Sequence, residues 1–180
     1  SLVGSEMCIR DRFQYGGMSF VDFAHLNSGN IKNGILDYNR QKTGTSMRLE
    51  VLDTAEAMYK ELAGERAGGS GYLFPFLSGT KNGHEEYLEY NAALSRFNRN
   101  LKTLKEVAGI VSDVTSYTIR HSFAMALKEQ NVPIEMISEL LGHKSIKTTQ
   151  IYLRSFSLEK MTVVNKSCFE NVYNYMPEVG

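Results

Sequence analysis

One arginine, one histidine and one tyrosine carry most of the chemistry this 180-residue chain could perform. Arg120 begins the run Arg120-His121-Ser122-Phe123-Ala124, His143 closes Leu140-Leu141-Gly142-His143, and Tyr152 follows nine residues after His143. A guanidinium stays charged and donates through a planar fork that matches phosphate oxygens. Imidazole gains and loses a proton near neutral pH. A phenol, with an ordinary pKa of ~10, is a poor nucleophile unless a base or positive neighbours assist it. Together the three groups could open a phosphodiester, the guanidinium stabilising the extra charge on the nonbridging oxygens of a pentacoordinate transition state. Each also has a plainer role: Arg120 in a helix-start ion pair, His143 beside the last carbonyls of a helix, Tyr152 as a core aromatic between Ile151 and Leu153.

The elements that must position these residues are mostly helical. Phe20, Phe23, Ala24 and Leu26 predict a helix within residues 13–26. Strands follow around Ile31 and Leu36-Asp37-Tyr38, which flank the turn Asn33-Gly34, and around Met47, Leu49 and Val51 beyond a second turn at Lys42-Thr43-Gly44. Helices are predicted over 54–63, 86–108, 117–130, 134–141 and 146–153, and a last one over 158–173. Gly109 and Gly142 act as stops, and Ser145 as an N-cap. Tyr72 to Pro75 reads as a short extended piece, with Phe74-Pro75-Phe76 anchoring a core strand. The expected fold class is therefore α+β, mostly helical, with a small antiparallel sheet near its start.

Composition narrows the setting. No apolar run approaches the ~20 residues that cross a bilayer. Cys8 and Cys168 form neither a ligand spacing nor a disulfide framework, so a reducing cytoplasm is the expected compartment. Net charge is +0, but its distribution is uneven: residues 1–94 hold nine basic against twelve acidic residues, and residues 95–160 ten against six. A basic half suits a polyanion, as it also suits a merely uneven surface.

The ordered set R-H-S-F-A, then L-G-H-x-S-x-x-T-T-x-x-Y, resembles the second conserved box of the tyrosine recombinases of the phage integrase family, and more closely that of integrases from Bacteroidetes mobile elements. The likeness runs from about Phe13 to Tyr173. It implies a recombinase catalytic domain that breaks and rejoins DNA through a 3′-phosphotyrosine on Tyr152, without cofactor or metal. It assigns Arg120 to the scissile phosphate and His143 to a nonbridging oxygen or to proton transfer. Lys42, at the hairpin tip Arg40-Gln41-Lys42-Thr43-Gly44, would protonate the departing 5′ oxygen, with Arg40 a neighbouring phosphate contact at best. It also implies double-stranded DNA as partner, a homo-tetramer in the full-length protein, and no membrane or small-molecule substrate. Residues 13–180 would form the catalytic domain, an N-terminal DNA-clamping domain being missing. Residues 1–12, SLVGSEMCIRDR, resemble a translated sequencing adapter and are set apart.

Two positions depart from the family pattern. Tyr117 stands where a histidine usually precedes the second arginine, and could still donate a hydrogen bond. The first arginine is missing: in Gly17-Met18-Ser19-Phe20-Val21-Asp22, Ser19 occupies its general place, and Gly16 the place used by near relatives. Cleavage is then expected to be impaired, with Asp22 buttressing the site by binding an arginine or lysine. Two other readings compete. Residues 132–152 have helix–turn–helix spacing, which would suit a DNA-binding protein that does not cut, and a type IB topoisomerase would share the nucleophile chemistry.

Overall fold

A computed structural model describes residues 8–9, 12–53, 55, 71–153 and 161. The predicted helices over 54–63 and 158–173 lie outside the described residues. The elements run α1 (Phe20–Ala24), a 3₁₀ turn (Ser28–Asn30), β1 (Ile31–Lys32), β2 (Ile35–Asn39), β3 (Ser46–Glu50), α2 (Gly83–Val107), α3 (Ser116–Glu129), α4 (Ile134–Leu140) and α5 (Ile146–Tyr152). The mixed, helix-rich architecture is as expected.

The sheet is antiparallel in the order β1-β2-β3, with Leu36 opposite Leu49 and Tyr38 opposite Met47. Leu36 and Tyr38 are buried while Asp37 and Asn39 are exposed, the period of a strand with one face inward. Asn33 and Gly34 take positive φ (52° and 73°) and turn β1 into β2. At the far end Arg40 and Thr45 close the second hairpin, Arg40 N–H donating to Thr45 O at 2.9 Å, which puts Lys42 at its exposed tip.

Two expected elements differ. The single helix predicted across 13–26 is broken, because Gly16 and Gly17 both adopt left-handed φ (69° and 64°) and the chain re-enters a helix only at Phe20. Ser19 caps that entry, its hydroxyl accepting from Asp22 N–H at 3.4 Å. The Phe74-Pro75-Phe76 piece is a turn rather than a strand. Extended pairing is limited to the Asn27–Tyr72 bridge and the Leu73 N–H bond to Leu26 O at 2.7 Å, after which Pro75 has no N–H to continue it.

Two apolar clusters result. In the larger, Phe23 stacks on Phe74 with ring centroids 3.8 Å apart, and Phe20 stacks on Phe97 of α2 at 4.9 Å. Cys8 and Arg12, from the segment the sequence reading sets apart, are buried there too; Arg12 donates to Met18 O at 2.9 Å and Ser116 O at 2.8 Å. The smaller cluster gathers Ala124, Ile137 and Leu141 under Phe123, Leu127, Val132 and Leu153. Gly17 joins the two, since a Cβ built on it would lie 2.8 Å from Phe123 Cβ.

That contact gives a stability prediction. Gly17→Ala meets both the left-handed backbone cost and an overpacked contact, together on the order of 2–5 kcal/mol. Gly34→Ala meets the backbone cost alone, about 1–2 kcal/mol, because nothing lies within 4 Å of its added methyl. Chemical denaturation of both variants checks this; equal losses would show that the Phe123 contact carries no weight.

Candidate active site

The site is built on the carbonyl end of α4. Gly142 (φ 59°) reverses the chain there, with Gly142 N–H donating to Glu139 O at 2.8 Å and His143 N–H to Ser138 O at 3.0 Å. This paired closure fixes where His143 leaves the helix. The carbonyls of Leu141 and Gly142 remain, and two guanidiniums take them. Arg40 Nη1 donates to Leu141 O at 3.1 Å and Gly142 O at 2.9 Å. Arg120 Nη2 also donates to Leu141 O, while its Nη1 donates to Gly17 O at 3.1 Å. Cations near a helix C-terminus are favoured by the helix dipole. A Cβ on Gly142 would lie 2.6 Å from Arg40 Cδ and would also collide with Met47 Sδ, so the glycine makes room for the Arg40 stem.

Asp22 organises the other side. Its carboxylate is buried and accepts from Arg40 Nε at 3.4 Å, from Gln41 N–H at 2.7 Å and from the Ser19 hydroxyl at 2.5 Å. Asp22 therefore binds an arginine, as the sequence suggested, and ties the base of the Lys42 hairpin to α1. A buried ion pair is tolerable here because its remaining valences are hydrogen-bonded.

His143 stands among these cations. Arg120 Nη2 lies 3.4 Å from its Nε2, and Thr149 Oγ1 lies 2.9 Å from its Nδ1. Arginine has no acceptor, so Nε2 presents its lone pair and the proton sits on Nδ1, donated to Thr149. Burial lowers the imidazole pKa most, and the positive charges of Arg120, Arg40 and Lys42 lower it further, to about 4. At neutral pH this histidine is uncharged and able to accept a proton.

Arg120 and His143 are thus brought together, while Lys42 stays at the exposed hairpin tip and reaches the imidazole through its charge. Tyr117 stands one turn before Arg120 but is 58 % exposed, outside the buried cluster. Tyr152 ends α5, three residues beyond Thr149; its side chain lies outside the described residues. Arg40 and Thr149 hold more of the site than their types and spacing indicate. Arg40 continues the inward phase of Leu36 and Tyr38, so an arginine there had to find buried partners. Thr149 is fully buried on a helix otherwise exposed at its neighbours Thr148 and Gln150, a signal that spacing from Tyr152 alone could have raised.

The model of the phage integrase family matches residues 13–159. Tyrosine recombinase XerD of Lacticaseibacillus casei is 42 % identical over 69 residues, which cover 38 % of this chain and 24 % of that protein. Tyrosine recombinase XerC of Rickettsia prowazekii is 33 % identical over 120 residues, 57 % of this chain and 39 % of the relative. These matched segments span well under half of each relative. Among solved structures, XerH site-specific recombinase bound to a palindromic difH substrate aligns with a TM-score of 0.68 at 18 % identity, covering 89 % of this chain and 44 % of that one. The Tn1549 transposon integrase in complex with transposon right end DNA aligns at 0.64 and 11 %, covering 89 % and 57 %. At these identities the two structures establish a common fold.

The imidazole environment predicts a pH signature. In the unfolded chain His143 takes up its proton near its ordinary pKa of about 6.5, whereas the native state refuses it until about pH 4. Between those values the unfolded state binds more protons, so stability falls as pH drops. NMR titration should place the His143 midpoint near 4, and His143→Gln should flatten stability over that window. A native midpoint at the ordinary value would contradict the described packing of cations.

Proposed function

The chain belongs to the phage integrase family, and on that premise we propose that it is the catalytic part of a tyrosine-type site-specific DNA recombinase. The observation that carries this reading is the meeting of Arg120 and His143 at one helix end, with Arg40 on the carbonyls beside them and the helix that ends in Tyr152 alongside; the charge of Lys42 is felt at the uncharged imidazole. Three cations and one buried carboxylate leave the cluster with net positive charge, which a phosphodiester would offset.

In the proposed step, Tyr152 Oη attacks phosphorus while the bond to the 5′ oxygen breaks. The phenolic proton passes to His143 Nε2, and Lys42 supplies a proton to the departing 5′ hydroxyl. Arg120 holds the nonbridging oxygens, exchanging its carbonyl partners for anionic ones, which bind a guanidinium more strongly. Tyr117, next to the site on α3, adds a hydrogen bond to the same phosphate. The 3′-phosphotyrosine retains the ester, so attack by a different 5′ hydroxyl rejoins the strand, its proton passing to Lys42 while His143 returns its proton to the departing Tyr152 oxygen. The reaction consumes no cofactor.

The partner is double-stranded DNA in the cytoplasm, bound by a homo-tetramer of the complete protein. The catalytic domain begins at Phe13, where the family match also begins; residues 1–12 are foreign in origin, although Cys8 and Arg12 pack into its core, and a DNA-clamping domain belongs upstream. The box from Arg120 through His143 to Tyr152, which carries the resemblance, points to a source among integrases of Bacteroidetes mobile elements.

A pool of nicked duplexes with randomised cores tests the reaction without knowledge of the site. The chain should trap a subset as covalent adducts, and Tyr152→Phe should trap none while DNA binding by gel shift is unchanged. Binding without any adduct from the unaltered chain would favour a non-cleaving DNA-binding protein; supercoil relaxation without strand exchange would favour a topoisomerase. Lys42→Ala should slow adduct formation about 10²–10⁴-fold, as expected for loss of a general acid. A duplex with sulfur at the 5′ bridging position should restore the rate, because a thiolate leaves without a proton.

A further inference from the structure

We infer that Thr149 is a positioning residue, its buried hydroxyl holding His143 by Nδ1 so that Nε2 stays presented to the phosphate site. The inference rests on the recombinase reading above and deepens it. It gives a task to a residue that touches neither the phosphorus nor the departing oxygen in that scheme.

Thr149 is fully buried, whereas Ile146, Lys147, Thr148, Gln150 and Ile151 of the same helix are exposed. One inward position on so short an element would suit an apolar side chain. Valine has nearly the same shape without the cost of burying a hydroxyl. Here the hydroxyl has a specific partner, with Oγ1 lying 2.9 Å from His143 Nδ1. On the other side of the ring, Arg120 Nη2 lies 3.4 Å from Nε2 and can only donate. Arg120 therefore decides which nitrogen carries the proton. Thr149 accepts the bond from Nδ1–H and holds the ring in its plane.

The two contacts part company during the reaction. In the proposed step Arg120 turns its donors to the phosphate oxygens, so its hold on the imidazole loosens. Thr149 is anchored by α5, which packs on α3 and α4, and keeps its contact. When Nε2 takes the phenolic proton, Nδ1–H becomes a charged donor and its bond to Thr149 strengthens. An interaction stronger in the transition state than in the resting ring raises a rate rather than an affinity. A threonine that only filled space under α5 would contribute equally whatever residue stood at 143.

A double-variant cycle separates the two roles. Covalent adduct formation is timed at saturating protein on the best-trapped duplex from the randomised pool, with thermal melts confirming that each chain folds. His143→Gln should be slower by about 10²–10⁴-fold, as for loss of a general base. Thr149→Val alone should slow the reaction about 10–10²-fold, the scale of a misplaced catalytic group, with DNA binding by gel shift unchanged. Added to His143→Gln, the same replacement should change the rate by less than about threefold, because its effect passes through the imidazole. Thr149→Ser keeps the hydroxyl and should stay within about threefold of the unaltered chain. Equal slowing with and without His143, no slowing in either, or a serine as slow as the valine overturns the assignment and leaves the recombinase reading intact. Imidazole nitrogen NMR of the unaltered chain decides independently, including where a variant does not fold or His143→Gln is too slow to time. It should find the His143 proton on Nδ1 and slow to exchange with water. A proton on Nε2, or one on Nδ1 that exchanges freely, overturns the assignment. Absence of adduct from the unaltered chain on every duplex overturns the recombinase reading, and this assignment with it.

Discussion

Two guanidiniums share the carbonyl end of one seven-residue helix, and the arrangement of the site follows from that junction. A helix leaves its last carbonyls without intrahelical partners, and α4 ends in the interior, where water cannot satisfy them all. Arg120 reaches Leu141 from α3 and Arg40 reaches Leu141 and Gly142 from the sheet, so both elements are pinned to the turn that ends α4. Cations this close repel one another. The helix dipole and the buried carboxylate of Asp22 offset that repulsion, and Asp22 in turn ties the hairpin to α1 through Gln41.

The same junction sets the chemistry of His143. Surrounded by positive charge and half-buried, the imidazole is held neutral, and Arg120 at Nε2 leaves its proton on Nδ1, facing Thr149. Thr149 belongs to the helix that ends at Tyr152. One hydrogen bond therefore links the orientation of the proton acceptor to the position of the nucleophile-bearing helix, so a shift of α5 would reach His143 directly.

Glycine is used sparingly where backbones or stems approach closely. Gly17 lets the chain pass against Phe123 and offers its carbonyl to Arg120, and Gly142 clears the path of the Arg40 stem. Both lie where the larger and smaller apolar clusters meet. The site occupies that boundary because a recessed polar cluster needs backbone groups from both sides to satisfy it.

Much of this was legible in order along the chain. Alternation in β2 and β3, the turn at Asn33-Gly34, and the glycine and serine signals around α4 and α5 are local, and local preference fixed those elements within a residue or so. The spacing of Arg120, His143 and Tyr152 likewise pointed to the family that residues 13–159 match. Spacing could not reveal the break at Gly16-Gly17, where contact with Phe123, a hundred residues on, favours a turn over a continuous helix. Nor could it show that Asp22 would take Arg40, or that Arg40 and Arg120 would meet on one carbonyl. Those pairings join residues separated by 18 to 101 positions. They exist because folding buries unpaired charges and carbonyls together, and each must then find its partner in space.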